Sequence, residues 1–256
     1  MIGGKKSSDR KCERGVALVF TFFALGALCF SCGSEGVRPS DDSYFPLQLG
    51  AYWIYDVEET NTLRVACTDN GETLTKYELK VEVTDSFPNT ESEGGYSYVL
   101  TRSMRANANQ SWQPFSTWTS KRLNSRVVNN EGNISYLKFV FPLYESQVWN
   151  GNLFNNEQQL NGKVEDEYKA TQVGKPFSLT NGQSFQKTVT VVQNDEQKNI
   201  LYRDSRQEVY AWNVGLVYKE SYLLKYFANS QLPCYAQNRT QQGTIWKQTL
   251  KEVGRN

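Results

Sequence analysis

The chain beyond Tyr44 predicts an all-β, antiparallel domain, either a barrel-like curved sheet or a sandwich, of roughly ten or more strands. Three observations predict it. Apolar and polar residues alternate with the two-residue period of strands, hairpin-type turn pairs separate the alternating runs, and few segments carry a helical period. The clearest run is Lys76-Tyr77-Glu78-Leu79-Lys80-Val81-Glu82-Val83-Thr84. Tyr77, Leu79, Val81 and Val83 share one face, and Lys76, Glu78, Lys80 and Glu82 the other, so one face is buried and one solvated.

In chain order, the first expected strand is Tyr52–Val57. Ahead of it, Pro46 restricts the backbone and Gly50 permits a sharp turn. Trp53 and Tyr55 alternate onto one face and supply a large core payload. Lys76–Thr84 follows, then Tyr96–Met104, Ile134–Phe141, Phe185–Val192, Gln207–Trp212, Leu216–Tyr222 and Thr244–Leu250. The turn signals are Asn70-Gly71, Glu131-Gly132, Asn161-Gly162, Asn181-Gly182 and Asn213-Val214-Gly215, with Gly215 expected at positive φ. Leu137–Leu143 is a dense apolar piece stopped by Pro142. The connections are short enough for a single antiparallel domain over residues 44–256. Two β-rich halves meeting near residues 145–160 are the other arrangement.

The first 31 residues read as an export signal. Lys5, Lys6, Arg10, Lys11 and Arg14 form a basic head, and Val16–Phe30 is uncharged and mostly apolar. That run is short of the roughly 20 residues a bilayer-spanning helix needs, and suits the apolar core of a signal peptide. Cys29-Phe30-Ser31-Cys32 resembles the lipobox of bacterial lipoproteins, with Ser ahead of the acceptor cysteine, and departs from it in having Cys29 where Leu is usual. The resemblance implies cleavage after Ser31 and lipidation of Cys32. Its acyl chains, at about 0.8 kcal/mol per buried CH₂, would hold the protein at a membrane. Cleavage without lipidation, releasing a soluble exported protein, competes with it. Gly33–Ser43 is small, polar and acidic, so residues 32–43 are expected to form a lipidated, flexible tether.

Composition narrows the chemistry. Residues 1–31 hold five of the 28 Lys/Arg and two of the 27 Asp/Glu, which leaves 23 against 25 and a net charge of −2. That balance argues against nucleic acid, which calls for a concentrated basic face. There is no histidine, so Ser-His-Asp and Cys-His catalysis and His-ligated metals are excluded. No cofactor motif is present. Cys67 and Cys234 are the two cysteines beyond the lipidation site, and in an exported chain such a pair usually forms a disulfide. Two separately buried thiols are the alternative.

Tyr44–Val57 opens with Phe45-Pro46-Leu47, then Gly50, Trp53 and Tyr55. Following a lipidation cysteine, this resembles the opening strand of uncharacterised Bacteroidota-type envelope lipoproteins, and Val209–Val217 is similar to a hairpin late in such domains. The resemblance implies a cell-envelope β domain, anchored through N-terminal acyl chains, and carries no catalytic residues. By resemblance, the acidic Glu35, Asp41 and Asp42 point toward surface export, and the expected location is the cell envelope, lipid-anchored at the outer membrane.

The function expected is non-catalytic: an envelope lipoprotein, a binding module whose β domain binds a partner or ligand at the membrane, such as an outer-membrane protein complex. A barrel carrying a lipid or glycan is the alternative, and a carboxylate-based glycoside hydrolase the third. Trp112, Phe115 and Trp118 are the candidate ligand or partner surface. They read either as a stacking platform for a sugar or peptide, or as a cover for a barrel end or open sheet edge. Glu165-Asp166-Glu167 cannot by itself be a glycosidase pair, because neighbours in a strand point to opposite sides.

Overall fold

The computed structural model describes residues 41–90, 95–123 and 125–256. The signal peptide, Cys32 and the tether up to residue 40 lie outside the described residues. Twelve antiparallel strands form one nearly closed, barrel-shaped sheet, and the only helical element among the described residues is the 3₁₀ turn Asp41–Tyr44.

The first six strands are β1 (Ala51–Leu63), β2 (Glu72–Pro88), β3 (Tyr96–Arg105), β4 (Gln113–Leu123), β5 (Arg126–Glu131) and β6 (Ile134–Val140). The second six are β7 (Val148–Asn150), β8 (Glu167–Ser178), β9 (Ser184–Glu196), β10 (Tyr202–Ala211), β11 (Gly215–Tyr226) and β12 (Thr240–Arg255). Each half is an up-and-down meander, and β1 pairs with β12 to join them into a continuous sheet ordered β6-β5-β4-β3-β2-β1-β12-β11-β10-β9-β8-β7. The two free ends meet at a seam. There the Leu137 amide donates to the Gly151 carbonyl at 2.8 Å, and the Trp149 indole donates to the Leu137 carbonyl at 2.9 Å. The curved-sheet alternative is therefore the one realised, not the sandwich. Closure of this kind removes most of the exposed edge that an open sheet would present.

The eight expected strands are all present, most of them longer than the alternation indicated. Strands β4, β5, β7 and β8 were not expected. In β4 the core-facing side carries Ser116, Trp118 and Ser120, and in β8 Ala170 is the small inward residue beside Tyr168, so neither presents a regular apolar stripe. Gly50 and Gly215 sit at φ +82° and +94°, as turn residues require. Trp53 and Tyr55 are buried together with Leu79, Val83 and Leu100.

The N-terminal segment contributes to the core. Asp41–Tyr44 is folded, and the Asn213 amide donates to the Ser43 carbonyl at 2.8 Å, so the last residues of the expected tether belong to the domain. Tyr44 and Leu47 are buried, and the Phe45 ring lies 5.9 Å from Phe139 and 5.8 Å from Tyr210. Phe45 thereby bridges the two apolar clusters of the barrel. At the other end, Cys67 and Cys234 form a disulfide across a separation of 167 residues. Arg64 caps the same region, donating to the Asp69 and Thr240 carbonyls and pairing with Glu72.

Candidate functional site: the barrel cavity

Between the strands lies a cavity of about 90 Å³. One wall is apolar, built from Phe45, Trp53, Leu79, Val81, Leu100 and Leu216. The other is polar and contains three cations, Arg102, Lys138 and Lys219, against two carboxylates, Glu131 and Glu208, with Asn129 and Gln248 beside them.

The polar wall arises from strand alternation and one bulge. In β10, Asp204, Arg206, Glu208 and Tyr210 lie two residues apart and share a side. Val209 and Ala211 on the opposite side are also buried, because the β8–β9 hairpin folds over the outside of the sheet. Asn181 near its tip donates to the Leu250 carbonyl at 2.9 Å, and Gln183 to the Lys251 carbonyl at 3.0 Å. Lys138 is the extra residue where Val127 pairs with Phe139 and Val128 with Leu137, and such a bulge re-aims a side chain.

Glu208 is the hub. Its carboxylate accepts from Lys138 Nζ at 2.8 and 2.7 Å, from Lys219 Nζ at 3.0 Å and from the Tyr210 hydroxyl at 2.6 Å. Burial pushes the Glu208 carboxyl up, but the Lys138 and Lys219 ammoniums and the hydrogen bonds outweigh it and hold the group well below the usual carboxylate range. Burial pulls the Lys138 ammonium down, and Glu131 and Glu208 together hold it well above its ordinary value. Beyond this hub, Arg206 pairs with Asp166 through two bonds of 2.8 Å and with Asp204 at 2.6 Å. Asp166, the middle residue of the acidic triplet, is thus a buried counterion, 1% exposed.

Arg102 stands apart from these closed networks. It is only 6% exposed, yet its one hydrogen bond runs from Nη1 to Ser116 Oγ at 3.0 Å, and no carboxylate among the described residues forms an ion pair with it. Its buried Nε has no partner. Desolvation lowers its pKa from the ordinary arginine value, and the charge of Glu131 opposes that shift only in part. Asn129, also 6% exposed, makes no side-chain hydrogen bond, and its Oδ1 is buried without a partner.

The three aromatics expected as a surface are only partly brought together. Trp118 lies in β4, lines the cavity and takes the Arg102 guanidinium 3.7 Å from its ring centre. Phe115, the bulge residue skipped between Ser116 and Pro114 in the β3 pairing, lies 5.0 Å from the same guanidinium and is 44% exposed. Trp112 precedes β4 and stacks with Arg105 at 4.2 Å. Residues 113–118 pair with β3, whereas β5 pairs only with residues 119–123, so the cluster borders a locally open edge. Sequence reasoning missed Arg102. Its signal was present: on the Leu100, Arg102, Met104 face of β3, a single cation interrupts an apolar series.

No family model matches the chain, and no curated protein matches it. Two solved structures are similar in fold. One, described as an exported protein with a YmcC-like fold, is from Bacteroides fragilis NCTC 9343; it is 13% identical, with a TM-score of 0.42, covering 82% of this chain and 98% of that one. The other, described as a lipoprotein, is from Parabacteroides distasonis ATCC 8503; it is 12% identical, with a TM-score of 0.41, over the same shares of the two chains.

Proposed function

We propose that this is a lipid-anchored protein of the cell envelope, held at the outer membrane through Cys32, whose barrel binds a small ligand in its central cavity without transforming it. The observation that carries this reading is the cavity itself. Arg102 and Asn129 are buried polar groups with unused hydrogen-bonding capacity facing an apolar wall, and buried polar groups are ordinarily satisfied. A concave, mostly apolar site with a few convergent polar groups is the usual form of a small-molecule site.

The size favours a small ligand over a lipid. About 90 Å³ is short of the few hundred Å³ of an ordinary ligand pocket, and shorter still of an acyl chain's needs. The indole face of Trp118, which a sugar ring would stack on, carries Arg102 instead. Glycoside hydrolysis requires a carboxyl with a raised pKa as its acid; Glu208 is held in the opposite direction, and Asp204, which burial pushes up, is bound to Arg206 and does not line the cavity.

The test has two arms. Labelling with a clickable fatty acid is expected to mark the wild-type protein and not Cys32→Ala; label on neither would remove the anchor. Native mass spectrometry of protein isolated from envelopes is expected to show a small adduct on wild type and none on Leu79→Trp, which fills the cavity. Identical adduct-free spectra would remove the binding reading.

A further inference from the structure

The cavity charges are unequal, and the inequality names a ligand class. Resting on the cavity reading above, we propose that the cavity binds a short-chain monocarboxylate, whose carboxylate is held by Arg102 and whose hydrocarbon end lies against Leu79, Val81 and Leu100.

Three features lead there. Lys138 and Lys219 are both committed to Glu208, and Lys138 also reaches Glu131 at 3.4 Å. Arg102 is the cation without an ion pair, sharing only the longer-range attraction of Glu131, and the three cations and two carboxylates of the lining leave a net excess of one positive charge. A buried charge with no counterion is strongly unfavourable, and a monoanion would relieve it.

The geometry of Arg102 also suits a carboxylate. A guanidinium offers five N–H donors in a planar fork, and in Arg102 only Nη1 is hydrogen-bonded. Trp118 covers one face of the fork, and Ser116 holds one corner. An arginine supported in this way presents its remaining edge for paired N–H bonds to two oxygens.

Volume sets the tail length. A cavity of about 90 Å³ is far below the few hundred Å³ of an ordinary ligand pocket, which suits a carboxylate bearing a short hydrocarbon chain. Leu100 lies two residues before Arg102 on β3, and Val81 of β2 is the cross-strand partner of Arg102, so head and tail contacts fall on adjacent strands.

The experiment is a titration of full-length protein in detergent with sodium butanoate and, separately, with butanamide, followed by calorimetry. Wild type is expected to prefer butanoate by about tenfold or more, the worth of a charge-assisted hydrogen bond. Arg102→Gln is expected to bring the preference to within about twofold, and Arg102→Lys to restore part of it. Circular dichroism checks that each variant is folded. The wild-type comparison decides the matter even where a variant is not. Equal binding of the two probes to wild type, or an undiminished preference in folded Arg102→Gln, overturns the anion assignment and leaves the cavity reading standing. Binding of neither probe overturns both.

Discussion

Replacing Glu208 with Gln removes the charge from the best-connected buried carboxylate in the barrel while nearly preserving its shape. The change leaves Lys138, 3% exposed, with only Glu131 at 3.4 Å, and weakens the contacts from Lys219 and Tyr210. Removing one partner of a buried ion pair typically costs about 3–5 kcal/mol. For a domain of this size that corresponds to a fall in melting temperature of about 6–20 °C. The pH dependence makes the prediction specific. The Glu208 carboxyl titrates below its ordinary value in the folded protein, so its contribution is fully present above the ordinary carboxylate pKa of about 4.3. That contribution fades as pH falls toward the folded value. Glu78 and Glu82 are also shifted down, with burial opposing their Lys251, Arg105 and Lys80 partners, so the raw acid curve mixes several groups. The difference between wild type and Glu208→Gln isolates the one of interest. Urea unfolding of both proteins from pH 7 to pH 3 is expected to show a gap of about 3 kcal/mol that narrows in acid. A gap below about 1 kcal/mol at pH 7, or one that stays constant to pH 3, would refute the buried-hub account.

The remaining expectations concern the frame around the cavity. Replacing Cys67 and Cys234 together by Ala opens a link spanning 167 residues, which loop-closure entropy values at up to about 5 kcal/mol, and a lower urea midpoint is the readout. An unchanged midpoint would mean that the β1–β12 pairing alone holds that end. Tyr55, Tyr168 and Tyr210 are at most 3% exposed, and burial raises the pKa of each, with the Glu208 charge adding to it. Their neutral forms stabilise the fold below about pH 10, and that stability is lost as pH rises beyond it. Ultraviolet absorbance is expected to show their ionisation only together with loss of the β-sheet circular dichroism signal. Complete tyrosine ionisation in a still-folded protein would contradict their burial.

Much of the architecture was legible because alternation is a local property. Tyr77, Leu79, Val81 and Val83 announce β2 without reference to any other strand, and the glycines at 50 and 215 mark turns that only their missing side chains permit. Strands β4, β5, β7 and β8 were illegible for the complementary reason. Their inward positions carry serine, asparagine and alanine, or the strand is only three residues long, and their place in the sheet comes from neighbours rather than from their own pattern. Of the expected site, Trp118 is in the cavity wall, whereas Trp112 and Phe115 stack on arginines at its margin.

By itself the sequence determined the element type, most of the turns and the pairing expected of Cys67 with Cys234. Only the tertiary structure decided that the sheet closes, because closure depends on Leu137 meeting Gly151 and on β1 meeting β12 across nearly the whole chain. It also decided the charge arrangement of the cavity. Lys138 and Glu208 are 70 residues apart, and the bulge at Lys138 and the register of β10 bring them together. Arg102 is left without an ion pair by that pairing, since a charge's partner is set by distance in space, which local periodicity does not contain.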